Sequence, residues 1–171
     1  MENASKALII AASVLAGVMI ISVGVALFST FSEFGKSTAE KVESDKIAQW
    51  NNTYLKYYGS YTDESGKIKP IKVTAHDIIS VANSAKQNNT NYELGKQNYN
   101  ENIYYVQVQV KNDLHFETKT DEENNNFLKQ NSLTQNNDGT LETKYFMCTD
   151  IKVSEKTHRV MYIKFDEYKE K

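Results

Sequence analysis

Residues 7–28 read ALIIAASVLAGVMIISVGVALF, a run of 22 residues without a charged side chain. As a helix that rises about 1.5 Å per residue, the run covers roughly 33 Å, close to the hydrocarbon thickness of a bilayer, about 30 Å. A helix that is apolar on every side is difficult to bury in a soluble chain of this size. The run predicts one transmembrane helix over residues 7–28, preceded by a short polar N-terminus, residues 1–6.

The alternative for this run is a cleaved secretory signal peptide. Apolar regions of signal peptides usually have about 7 to 15 residues, so this one is long, although Gly24-Val25-Ala26 resembles a cleavage site. We therefore expect the span to be retained, with the lipid bilayer as a partner.

The orientation of the span is less well determined by the sequence. Lys6 precedes the span and Lys36, Lys41 and Lys46 follow it, which by the positive-inside rule favours a cytoplasmic C-terminal side. Long domains, however, translocate largely regardless of such charges. With one Cys and many Asn and Tyr residues, the composition favours an extracytoplasmic domain on a single-pass membrane protein. The excess of 19 Lys over one Arg, with many Asn and Tyr, is typical of an A/T-rich genome and indicates a bacterial cell membrane.

The helix is predicted to continue beyond the membrane as an amphipathic segment, residues 29–58. This stretch contains no Pro, and its apolar residues recur mostly at steps of three, four or seven. The stripe predicted to pack against a globular domain consists of Phe31, Phe34, Val42, Ile47, Trp50 and Tyr54. Gly59 is a plausible stop, so we expect the helix to end near Tyr58.

Residues 59–171 are predicted to form one small α+β domain. After a turn-rich connector over residues 60–70, Thr74 and Asp77 have the spacing of a capping box, which opens a helix running to about Gln87. A second box at Thr120 to Glu123 opens a short helix. Alternating patterns predict a strand over 103–110 and a hairpin of strands 145–153 and 159–165, giving an antiparallel sheet of three or four strands.

The sequence provides little sign of catalysis or cofactor binding. Cys148 lies in an alternating strand, where a small buried residue is the ordinary interpretation, and His76, His115 and His158 show no metal-ligand spacing. The acidic run at 121–123 lacks the glycine turn of a calcium loop. Twenty basic against 22 acidic residues disfavour nucleic acid as a partner. We predict neither enzymatic activity nor a cofactor or metal site.

Small residues in the span indicate self-association. Ser13, Gly17 and Gly24 lie four and seven residues apart on one helix face, with Ala12 and Ala16 beside them. In lipid, where packing drives helix association, small residues let two helices approach closely. Further copies of this chain are therefore an expected partner.

This architecture resembles the type IV pilins and pseudopilins. The resemblance rests on residues 7–58, an apolar half-helix with an amphipathic continuation, followed by a small α+β domain. It implies a structural subunit that is anchored by its apolar half before assembly and packs through it in a filament, helped by secretion or pilus assembly machinery. The opening MENASKALII has no glycine of the family's processing type, so we expect the helix to remain unprocessed.

Three functions therefore stay open from the sequence. The first is a subunit of a surface filament or secretion apparatus, which would also place the protein in an extracellular filament. The second is a solitary single-span protein whose outer domain binds a ligand or partner. The third, ranked last, is a membrane-tethered enzyme, because no acid–base or nucleophilic residues converge.

Overall fold

A computed structural model describes residues 2–135 and 138–169. The chain divides into two compact units, residues 1–46 and residues 47–171. The first unit is helical throughout its described residues, and the described residues of the second combine helices with three small sheets. The predicted α+β class, with a long N-terminal helix and a small sheet-containing domain, is confirmed.

The long helix, α1, spans Glu2–Leu55. Its residues up to Lys46 form the first unit, and its last two turns belong to the second. After Leu55 the backbone forms hydrogen bonds of the 3₁₀ type, to residues three positions earlier. The amides of Tyr57 and Tyr58 donate to the carbonyl oxygens of Tyr54 and Leu55. Gly59 follows at φ 139°, in the region that favours glycine. The helix thus ends three residues before the predicted limit.

The predicted connector over residues 60–70 is a β-hairpin. Strands β1 (Ser60–Thr62) and β2 (Ile68–Pro70) pair antiparallel. The Asp63 carboxylate organises the turn by accepting from the amides of Ser65 and Lys67 at 3.0 and 2.9 Å. The hydroxyl of Ser65, which donates to the same carboxylate at 2.6 Å, and the amide of Lys67 lower the pKa of Asp63 to about 2. Pro70 is compatible with β2 because this strand is a sheet edge, where a missing N–H is tolerated.

Helix α2 (Ala75–Asn91) begins at the predicted capping box. The amide of Asp77 donates to Thr74 Oγ1, and the amide of Thr74 donates to the Asp77 carboxylate. The helix continues four residues beyond the predicted end because Asn88 and Asn89 are buried and bind the chain that follows. Helix α3 (Asp121–Asn131) begins at the second predicted box, Thr120 with Glu123.

The central sheet has four strands in the order β3-β7-β8-β4. Strands β7 (Tyr145–Val153) and β8 (Val160–Glu167) form the predicted hairpin, and the two-residue β3 (Val73–Thr74) pairs with the start of β7. On the other side, β4 (Gln107–Val110) pairs with β8 in parallel. The sheet is therefore mixed rather than wholly antiparallel.

The chain before β4 also differs from the predicted strand over 103–110. The alternation predicts Tyr104 on the same face as Val106 and Val108. Tyr104 is instead exposed and Tyr105 buried, and strand pairing begins only at Gln107. The cause is Asn89, whose amide group donates to the carbonyl oxygen of Val106 and accepts from its amide, both at 2.9 Å. A side chain thus takes the place of a neighbouring strand.

A further hairpin, β5 (Leu133–Gln135) with β6 (Leu141–Thr143), follows α3 and was not predicted. The sequence predicted a turn at residues 136–139. Its first two residues lie outside the described part, and Asp138 supports the remainder by accepting from the amide and hydroxyl of Thr140.

The hydrophobic core of the second unit lies between α2, the end of α1 and the central sheet. Its largest buried members come from every one of these elements. The core includes Tyr54, Val73, Ile78, Val81, Val108, Phe116, Phe146, Ile163 and Phe165.

Candidate functional site

The apolar run of α1 presents its side chains outward on all sides. From Leu8 to Phe28 its large hydrophobic residues are exposed, and this is the one described helix long and apolar enough to cross a membrane. Exposed apolar surface of this extent is unfavourable in water. The chain therefore carries a candidate membrane anchor.

Three hydroxyl groups in and just after the run are satisfied within the helix. Ser13, Ser22 and Thr30 each donate to the carbonyl oxygen four residues earlier, at 2.8 to 3.0 Å. A hydroxyl bonded in this way needs no water, so it can enter hydrocarbon at low cost. The polar residues in this part of α1 are thus compatible with a lipid environment.

The predicted self-association face remains uncovered in the single chain. Ser13, Gly24, Ala12 and Ala16 are exposed and Gly17 is half-exposed. A methyl group added at Gly17 or Gly24 would meet no atom within 4 Å. A glycine inside a helix costs about 1 kcal/mol relative to alanine. Because no atom of the described residues lies close to either position, the small size of these glycines is available to a partner from outside.

The predicted packing stripe divides into two parts. Trp50 and Tyr54 pack in the core of the second unit, and Ile47 is half-buried. Phe31, Phe34 and Val42 are 70%, 69% and 47% exposed. At about 100° per residue, Phe31, Phe34 and Val42 lie roughly 150° around α1 from Ile47, Trp50 and Tyr54, so the six residues do not form one stripe. The packing role of the three residues in the first unit stays a prediction.

The end of α1 is attached to the sheet by one carboxamide. Asn51 donates from Nδ2 to the carbonyl oxygen of His158 at 2.7 Å, and the amide of Val160 donates to Asn51 Oδ1 at 2.8 Å. The side chain thereby acts as a strand partner for the start of β8. Tyr54, three residues further on, is fully buried, and burial raises the pKa of its hydroxyl.

The only arginine of the chain lies beside this attachment, in a group of side chains that we call the Arg159 cage. Its guanidinium carbon is 4.4 Å from the ring centre of Trp50, 4.9 Å from that of Tyr104 and 5.5 Å from that of Tyr92. It donates to Tyr92 Oη at 3.0 Å and to Asn88 Oδ1 at 3.1 Å. The sequence shows no local pattern for this cage, since its members are far apart in the chain.

A buried carboxylate was also missed by sequence reasoning. Glu117, in the 3₁₀ turn Phe116–Thr118, is 2% exposed. It accepts from Tyr105 Oη at 2.7 Å and from the Val108 amide at 2.8 Å, and His115 Nδ1 lies 3.1 Å from it. Burial and this hydrogen bond to Glu117 raise the pKa of Tyr105. The carboxylate thus covers the outer edge of β4.

The candidate nucleophile and the histidines do not form a common network within residues 2–135 and 138–169. Cys148 Sγ lies 3.5 Å from the carbonyl oxygen of Asp150, and no histidine bonds to it there. His76 is on the exposed side of α2, while His158 occupies the turn between β7 and β8. The described residues contain no group of three His, Cys, Asp or Glu side chains placed to hold a metal ion.

We expect Cys148 to react slowly with alkylating agents in the folded protein. Burial raises the pKa of its thiol to about 12, whereas an ordinary thiol has a pKa near ~8.5. Only the thiolate reacts. At pH 8, iodoacetamide should modify folded Cys148 at least about a hundredfold more slowly than the urea-unfolded chain, as followed by intact mass. The rate of alkylation of the folded protein should still rise at pH 10, whereas that of the unfolded chain no longer changes with pH. Equal rates in both states would contradict the burial of Cys148.

No protein-family model matches this chain, and the comparisons with curated proteins and with solved structures likewise found no match. A long apolar N-terminal helix and a small sheet-containing domain are compatible with a pilin-like architecture.

Proposed function

We propose that this protein is a membrane-anchored structural subunit that assembles with copies of itself through α1, in the manner of a pilin-like filament or secretion-apparatus component. The observation that supports this best is the uncovered surface of α1. Its apolar run can be covered by lipid, but Phe31, Phe34 and Val42 extend the apolar stripe beyond the predicted span. Neighbouring copies of α1 would cover both parts.

The glycines of α1 support contact between helices in particular. At about 100° per residue, Gly17, Gly24 and Gly35 lie within about 20° of one another on the helix surface. A Cβ atom at any of the three would meet nothing within 4 Å in the chain. Each of these glycines is a point on this side of α1 where a second helix could approach closely.

We expect Gly17→Leu to abolish assembly, because the added side chain would hold neighbouring helices apart. The matched control is Ala26→Leu, which adds a leucine to the same span about 180° away around the helix. Electron microscopy of material sheared from the cell surface should show filaments for the wild type and for Ala26→Leu, but not for Gly17→Leu. Normal filaments from Gly17→Leu would contradict the proposed packing.

A solitary anchored protein with a ligand-binding domain is the second candidate. It is favoured by an open cleft of about 490 Å³ between α3 and the turn after β4, with Phe116 and Phe127 among its lining residues. In that case the wild-type chain would be monomeric in membranes, and both Gly17→Leu and Ala26→Leu would be monomeric as well.

A further inference from the structure

The Arg159 cage leaves a positive charge without a counterion. Within residues 2–135 and 138–169, the guanidinium is paired with no carboxylate; its partners are three aromatic rings, a phenol oxygen and a carboxamide oxygen. Two of its N–H groups are used, and a guanidinium has five. Arg159 is half-exposed, and the adjacent Tyr92 and Tyr104 rings are 45% and 43% exposed. An anionic group from outside the chain could therefore bind to it.

The first unit carries an exposed carboxylate, Asp45, that has no cationic partner among the described residues. At about 100° per residue, Asp45 lies on the same side of α1 as Phe31, Phe34 and Val42, within a sector of about 80°. Glu33, Glu40 and Glu43 point to other sides of the helix. Asp45 is exposed and forms no ion pair in the described chain, even with Lys41 four residues earlier.

We propose that Asp45 of one copy binds Arg159 of a neighbouring copy, an inference that rests on the proposed assembly. A carboxylate can accept two parallel N–H bonds from a guanidinium, which makes this pairing specific in geometry. The half-exposed tyrosine rings would partly shield the pair from water, and Val42, about one turn from Asp45, would cover them. Trp, Tyr and Arg are also the residues that most often dominate binding energy at interfaces.

Charge reversal in the full-length chain tests this pairing. We expect Asp45→Lys to lower the yield of sheared filaments, or self-association measured by energy transfer between labelled copies in lipid vesicles, by at least about tenfold. The matched control is Glu40→Lys, which makes the same change in charge on the far side of α1 and should stay within about twofold of the wild type. Equal effects of the two variants would overturn the proposal.

A second reversal distinguishes pairing from a general effect of charge. Asp45→Lys combined with Arg159→Glu should recover most of the assembly lost in Asp45→Lys, provided that the fluorescence of Trp50 shows an intact cage region. Failure to recover in a folded double variant would overturn the pairing. Wild-type chain that never assembles would contradict both the proposed function and this inference, whereas normal assembly of Asp45→Lys would contradict this inference alone.

Discussion

Two lysines in the middle of the apolar run, Val18→Lys with Ile21→Lys, are expected to prevent stable membrane insertion. Both native side chains are exposed, so in a bilayer they would lie in lipid or against another span. Each lysine near the centre of a span costs about 2.5–3.5 kcal/mol on insertion scales, or roughly 5–7 kcal/mol for the pair. After alkaline washing of membranes, the wild type should stay in the pellet and the double variant should be released or degraded.

The control for this experiment adds the same charge outside the run. Ser37→Lys with Ser44→Lys places two lysines on exposed positions of α1, and this variant should remain in the pellet. Retention of the Val18 and Ile21 variant would contradict the membrane anchor. Wild-type protein that is found in solution, with an intact mass showing cleavage after Ala26, would instead support the signal-peptide alternative.

The elements predicted well from the sequence are those specified by neighbouring residues. Both capping boxes depend on side chains three positions apart, and each begins a helix where expected. The β7–β8 hairpin follows from alternation on both sides of a short turn. Helix starts and hairpins of this kind depend on hydrogen bonds and periodicity among neighbouring residues, so a single sequence is sufficient to predict them.

The features that sequence reasoning missed depend on residues far apart in the chain. Asn89 looks like part of a helix-ending Asn cluster, yet it is buried because it binds Val106. Arg159 reaches Trp50 and Tyr92 only once α1, α2 and β8 have packed together. Likewise, the alternation of apolar and polar residues in β4 and β8 does not indicate that these two strands pair in parallel. Such contacts are set by tertiary packing rather than by local preference.

The upper stripe of α1 shows a different kind of limit. An apolar pattern in the sequence does not distinguish a face that packs within the chain from one that packs on another molecule. Tyr54 is of the first kind, while Phe31 is 70% exposed. In the proposed assembly, the partner of the face that contains Phe31 is another copy of α1 rather than the domain of the same chain.

Removing the buried carboxylate by Glu117→Ala is expected to cause the largest loss of stability in the domain. The change leaves the Val108 amide and the Tyr105 hydroxyl without their acceptor in a site that is closed to water. Unpaired buried donors cost about 1–3 kcal/mol each, so the free energy of unfolding should fall by about 3–5 kcal/mol. Glu117→Gln should lose about half as much, since its remaining amide oxygen can accept only part of these bonds.

Urea unfolding of the full-length chain in detergent micelles measures this effect, because the single tryptophan, Trp50, packs against the core of the same unit. The matched control is Glu64→Ala in the exposed β1–β2 turn, which should change the free energy of unfolding by less than about 0.5 kcal/mol. A Glu117→Ala variant as stable as this control would show that Glu117 is not buried against β4. If only Glu117→Ala and Glu117→Gln lower the free energy of unfolding, the result would support Glu117 as the group that covers the outer edge of β4, in the place of a further strand.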